Sequence, residues 1–270
     1  MKSLLLHVQD DAGMEARLQA ALSIARATSG HVSCLHVTPI NLYIMSDGMT
    51  GAYMMPNFIT TLDEMEKKMR ARIEESLKNE DVSWDYEHVD GEPAQEIVSR
   101  SSLADLVVLG RYHHRETRYT PITLMGDVLQ SARAPILVQP QELNTFDVFG
   151  PAVVGWNGSF EAANALRAAL PLLKMASAVH IVTVEEPKEH RLPSLAASTY
   201  LSRHGVTSEL HARPKSDMPV EKAIIETAQV MDAGYIVMGG YGHSRAREFL
   251  FGGVTRTLLS ECAIPLIMGR

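Results

Sequence analysis

Short apolar runs alternate along this chain with longer stretches whose apolar positions recur at helical spacing. Ser3–Gln9 reads as a strand, Met14–Thr28 as a helix and His31–Val37 as a second strand. The series then restarts, with strand Ala152–Asn157, helix Phe160–Met175 and strand Val179–Val184. Each series continues through a helix, a strand, another helix, a buried apolar strand, a loop, a helix and a last strand. The buried strands correspond (Ala104–Gly110 with Ala233–Gly239), and so do the last ones (Ala134–Val138 with Ala263–Met268). Continuous apolar strands separated by helices indicate βαβ units, a parallel sheet and helices on both sheet faces. The expected fold class is therefore α/β: two tandem doubly wound domains, residues 1–144 and 149–270, each with five parallel strands and four helices. A linker is expected around Gln141–Gly150.

The two series differ between Pro39 and a helix expected near Leu62. That segment carries Met45, Gly48, Met49, Gly51, Met54, Met55 and Pro56. Long loops in compact domains are commonly functional, and methionine is adaptable packing material. It reads either as a flap over a ligand or as a loop tucked against the neighbouring half.

The chemistry concentrates near the C-terminus, in Tyr235–Ser244 and Phe251–Leu259. An apolar strand ends on Gly239, Gly242 follows, and the pair Gly252 and Gly253 opens the next helix. Glycines permit close backbone approach, and a helix start offers unpaired N–H groups and positive dipole, so this arrangement suits an anion of phosphate size.

Composition narrows the classes. A net charge of −7 without a Lys/Arg stripe argues against nucleic acid. No apolar run reaches the roughly 18 residues of a membrane span. Cys34 and Cys262 sit singly in or beside apolar segments, as buried thiols of a cytoplasmic protein would.

The segments Val153–Ala163, Val237–Glu248 and Phe251–Leu259 resemble bacterial universal stress proteins of the tandem type, strongly in the second half and more loosely in the first. The resemblance implies an adenine-nucleotide-binding α/β fold with strand order 3-2-1-4-5, and a stress-response role. It also implies ATP or another adenine nucleotide bound through Gly-x2-Gly-x9-Gly-Ser/Thr, with an aspartate after the first strand facing the nucleoside. Here Gly239, Gly242 and Gly252 keep that spacing, but Gly253 replaces the hydroxyl residue and Asn157 the aspartate. The implied ligand-contacting set is Asn157, Gly158, Gly239, Gly242, His243, Gly252, Gly253, Val254 and Thr255. In the first half Gly110 remains, while His113, Ile122 and Thr123 stand at the later glycine and hydroxyl positions, and Gln9 at the acid position. Nucleotide binding by that half is not expected. Independently of the family, ligands of doubly wound sheets sit where strand order reverses, between first and fourth strands. Asn157 and Gly239 meet there.

Relatives pair through their last strands, so the two halves are expected to form an intramolecular pseudo-dimer through Ile136–Val138 and Leu266–Met268. Whole chains can associate further into a homodimer. No catalytic set emerges from spacing. A ligand-free scaffold or interaction module, and a slow ATP hydrolase, stand as alternatives. Gly240–Gly242 only begins a GxGxxG, with Arg245 at the third glycine, and no P-loop spacing occurs. No metal centre is assigned. His7, His36 and His88 each precede a valine near the end of successive strands and could approach one another; hydrogen-bonded strand-end histidines are the plainer reading. His113 and His114 are adjacent and cannot share an ion as an i, i+4 pair would. Arg245, Arg247 and Arg256 either meet phosphates or pair with Glu248 and its neighbours. Glu92 belongs to a turn in which Pro93 starts a helix.

Overall fold

The computed structural model describes residues 1–39, 51–111, 121–185, 192–214, 218–240 and 253–270, with the backbone alone for 51–59, 121–123 and 185. The strands are β1 (Ser3–Val8), β2 (His31–Thr38), β3 (Ser83–Asp90), β4 (Leu106–Gly110), β5 (Ile136–Gln139), β6 (Ala152–Gly155), β7 (Val179–Glu185), β8 (Glu209–Pro214), β9 (Tyr235–Gly239) and β10 (Leu266–Gly269). The helices are α1 (Met14–Thr28), α2 (Gly51–Leu77), α3 (Pro93–Arg100), α4 (Pro121–Ser131), α5 (Phe160–Leu173), α6 (Ser194–Arg203), α7 (Val220–Val230) and α8 (Gly253–Glu261). A short 3-10 turn, Ser101–Leu103, follows α3.

All ten strands form one sheet, ordered β3-β2-β1-β4-β5-β10-β9-β6-β7-β8. Each half thus contributes the order 3-2-1-4-5, and all pairings within a half are parallel. The halves meet where β5 and β10 pair antiparallel, with Leu266 opposite Val138, Ile267 opposite Leu137 and Met268 opposite Ile136. These are the last-strand segments expected to touch.

The alternation of side chains along each strand divides the core into two layers. On one face Leu4, Leu6, Val154, Val237 and Ile267 pack under α1, α2, α5 and α6. On the other, Leu5, Val107, Val138, Val153 and Met268 pack under α3, α4, α7 and α8. Both faces are covered, which is why the central strands read as unbroken apolar runs. The linker is packed and not loose. Phe146 and Val148 are buried, and the Phe146 ring stacks on Tyr235 at 5.2 Å between centroids.

The Met-rich segment corrects one expectation. Residues 40–50, including Met45, Gly48 and Met49, lie outside the described residues, but α2 begins at Gly51, eleven residues before Leu62. Met54, Met55 and Pro56 are therefore helical. Apolar spacing continues backwards from Leu77 and Ile73 through Met69 and Leu62 towards Met55, and methionine favours helix over loop. Pro93 opens α3 as expected, with Glu92 Oε2 accepting from the Gln95 backbone N–H at 2.8 Å.

Candidate functional site

In the second half, β6 and β9 lie side by side in parallel, with Gly155 opposite Met238. The chain leaves β6 towards β7 on one side and leaves β9 towards β10 on the other. This is the reversal point at which doubly wound sheets open a crevice. Asn157 lies two residues beyond β6, and Gly239 closes β9. Because β10 runs parallel to β9, the start of α8 at Gly253 lies at the same end of the sheet. The topology thus gathers Asn157, Gly158, Gly239, Gly253, Val254 and Thr255 at one sheet end. Gly242, His243 and Gly252 fall outside the described residues, as do Arg245, Arg247 and Glu248.

The local contacts separate glycines serving the fold from one that does not. Gly158 adopts φ +70°, and a Cβ there would stand 2.2 Å from the Leu192 carbonyl oxygen. Its own carbonyl accepts from the Leu192 N–H at 3.1 Å. Gly239 lets α5 approach β9: a Cβ would stand 2.6 Å from the Ala162 nitrogen. Both glycines are required by the chain's own backbone. Gly253 is different, since a Cβ there would meet nothing within 4 Å. Its side faces open space at a helix start, where amide N–H groups lack intrahelical acceptors. Val254 is half-buried against the core, and Thr255 is buried. A group beside Gly253 would therefore displace none of the described residues at that point.

Asn157 is exposed but already engaged, its Oδ1 accepting from the Ser159 N–H at 3.0 Å. Ser159 in turn caps α5, its Oγ accepting from the Ala162 N–H at 3.2 Å. An aspartate could make the same turn while adding charge.

The equivalent reversal point in the first half, between β1 and β4, is filled. Arg17 of α1 is 1% exposed, and its guanidinium reaches into the strand ends. Nε donates to the His7 carbonyl at 3.2 Å, one terminal nitrogen to the Gln9 carbonyl at 3.3 Å, and the other to Asp11 Oδ1 at 2.9 Å. That last nitrogen would lie 2.4 Å from a Cβ on Gly110. The first-half glycine is thus spent on the chain's own cation. At the corresponding place α5 sets Glu161 and Ala162 against Gly239, with Ala163 and Ala165 following. No motif pointed to Arg17; the available signal was an arginine between the apolar positions in the first turn of α1 with Asp11 six residues earlier. The substitutions His113, Ile122 and Thr123 lie where side chains are not described.

The strand histidines do not converge on one point. His36 and His88 are register partners with ring centroids 5.2 Å apart, whereas His7 is paired with Leu35 and faces the opposite side of the sheet. Each ring of the pair has a hydroxyl partner: His36 Nδ1 with Tyr86 at 2.8 Å and His88 Nε2 with Thr38 at 2.8 Å. Burial, reinforced by the Arg17 charge, pushes the His7 pKa down to about 3. Burial and the neighbouring His88 lower His36 to about 4. Burial raises both thiols, Cys34 to about 12. They are unpaired, buried and unsuited to nucleophilic chemistry. A concavity of about 1000 Å³ beside β10 is lined by Arg133, Asn164, Arg167, Tyr200 and Arg270, and includes neither Asn157 nor Gly239.

Comparison with known proteins bears on the fold. No protein-family model and no curated protein matches the chain. Among solved structures, a universal stress protein from Archaeoglobus fulgidus DSM 4304 superposes with a TM-score of 0.75 at 15% identity, covering 99% of this chain and 97% of that one. A putative universal stress protein from Pseudomonas aeruginosa UCBPP-PA14 gives 0.64 at 16% identity, covering 100% and 93%. A functionally unknown protein from P. aeruginosa PAO1 gives 0.63 at 16% identity, covering 100% and 92%. Along its whole length the chain thus has the fold of universal stress proteins, as the resemblance in sequence implied. Among the described residues, no helix is long and apolar enough to cross a membrane.

Proposed function

We propose that the chain is a tandem universal stress protein whose second half holds an adenine nucleotide as a regulatory signal, while its first half is closed to ligands and serves as scaffold. The two domains, 1–144 and 149–270, act as an intramolecular pseudo-dimer in the cytoplasm. The nucleotide site is the crevice between β6 and β9, with Asn157 and Gly158 on one side, Gly239, Gly242 and His243 on the other, and Gly252 to Thr255 presenting helix-start amides to phosphate. The observation that carries this reading is the contrast between the two reversal points. Arg17 fills the first, whereas at the second Gly239 meets α5 at Glu161 and Ala162 with no cation, and Gly253 faces open space among the described residues.

Calorimetric titration with ATP, ADP and AMP tests the proposal. Saturable binding by the wild type, lost in Gly242→Val, is the expected outcome. Heats no larger than dilution for all three nucleotides would remove the reading. A ligand-free interaction module is the second reading, favoured by one observation: the Asn157 carbonyl oxygen is already committed to the Ser159 N–H. Hydrolysis is not part of the proposal, because no acid–base pair accompanies the crevice among the described residues.

A further inference from the structure

A cluster on the outer strands of the second half belongs to neither reversal point. His180 lies on β7 in register with Glu209 of β8, and Val182 is opposite His211. Residues two apart on a strand share a face, so Glu209 and His211 point the same way, towards His180. His180 Nδ1 and His211 Nε2 are 3.1 Å apart, with ring centroids separated by 5.2 Å. Glu209 Oε2 stands 3.6 Å from the first nitrogen and 3.9 Å from the second. Neither carboxylate contact has hydrogen-bond length, yet the oxygen is held nearly equidistant from both rings.

That geometry suits a shared ion. The nearest point equidistant from three atoms 3.1, 3.6 and 3.9 Å apart is the centre of the triangle they form, about 2.1 Å from each, within the range of zinc–imidazole and zinc–carboxylate bonds. The first-half pair His36 and His88 has the same 5.2 Å ring separation, and Asp90 Oδ1 lies 3.6 Å from His88 Nε2, but each ring there is bonded to a hydroxyl. His180 and His211 turn towards each other instead. Their side chains are 12% and 16% exposed, while that of Glu209 is 67% exposed on an edge strand, so the cluster is held from within and open to solvent on one side.

We propose that His180 Nδ1, His211 Nε2 and Glu209 Oε2 bind a divalent transition metal of the zinc class, with its remaining position open to water. Two imidazoles and one carboxylate favour Zn²⁺, Co²⁺ or Cu²⁺ over Mg²⁺ and Ca²⁺, which prefer oxygen ligands. The ion bridges β7 to β8 and so fastens the edge of the sheet. The loss of His180, His211 or Glu209 removes a ligand without touching the β6–β9 crevice.

Titration of the full chain with Co²⁺, followed by visible absorption and then by competition with Zn²⁺, tests the site. The wild type should bind with saturable d–d bands that Zn²⁺ displaces and an equal concentration of Mg²⁺ does not. His180→Gln and His211→Gln should each weaken binding by about 100-fold or more, and Glu209→Gln by about 10-fold, on the scale set by disturbed metal shells. His204→Gln, at an exposed histidine away from the cluster, should bind as the wild type. Circular dichroism checks folding, and the exposed Glu209 variant keeps the test decisive should a histidine variant misfold. Absence of saturable binding overturns the proposal. So does displacement by equal Mg²⁺, or an affinity unmoved by all three substitutions.

Discussion

The two reversal points of this molecule share a backbone plan and differ in what lies between their strands. In the first half, α1 sends Arg17 into the crevice between β1 and β4, where two backbone carbonyls and Asp11 hold it against Gly110. In the second, the α5 backbone at Glu161 and Ala162 itself packs against Gly239, and no cation enters from that helix. A retained glycine therefore has different meanings in the two copies. Gly110 makes room for a side chain, Gly239 for a helix, and Gly253 faces no atom of the described residues within van der Waals reach. Only the last carries a ligand argument on contacts alone.

The largest expected effect comes from blocking the helix approach. Gly239→Val would force β-carbons into the α5 backbone, which cannot rotate aside, and should cost about 3 kcal/mol or more in urea unfolding. Gly110→Ala meets the far end of an arginine and should cost clearly less. Equal losses would erase the distinction drawn between these glycines.

Arg17→Ala comes next. Removing one partner of a buried, hydrogen-bonded pair leaves carbonyls and Asp11 uncompensated, and about 3 kcal/mol of stability should be lost. Nucleotide stoichiometry should stay unchanged, because the remaining first-half motif is absent. A second nucleotide bound by this variant would show that the guanidinium alone closes the first half.

Acid should act through the first half as well. His7 and His36 have folded-state pKa values of about 3 and about 4, below the ordinary histidine value. The unfolded chain therefore binds more protons over that interval, and stability falls as pH drops from about 6.5 towards 4. Each group contributes at most about 1.4 kcal/mol per pH unit. Urea midpoints across this range should flatten in His7→Leu, and an unchanged slope would contradict the assignment. The smallest effect on the fold is expected from Gly253→Ser, within about 0.5 kcal/mol because the site faces open space. If phosphate lies there, the added hydroxyl should strengthen ATP binding by up to about 10-fold, in line with one hydrogen bond, and leave AMP unchanged.

Much of the architecture was legible because buried parallel strands leave continuous apolar runs, so β4, β5, β9 and β10 are found within three residues of their expected places. The start of α2 was not, because Gly51 and Pro56 carry breaker signals, while the helical spacing of the methionines beside them is weak over one or two turns. The crevice could be located from strand order, which brings Asn157 and Gly239 together. Arg17 could not, since an arginine on a helix usually reads as solvated, and its burial depends on carbonyls presented by a neighbouring strand end. The His180, Glu209 and His211 cluster escaped for a similar reason. Glu209 and His211 alternate visibly on one strand, but only the register with β7 supplies the third member.

Native mass spectrometry of the full chain with saturating ATP tests the central asymmetry most directly. The account predicts one nucleotide per chain, lost in Gly242→Val and retained in His113→Val. Two nucleotides per chain, or a single one that persists in Gly242→Val, would contradict it.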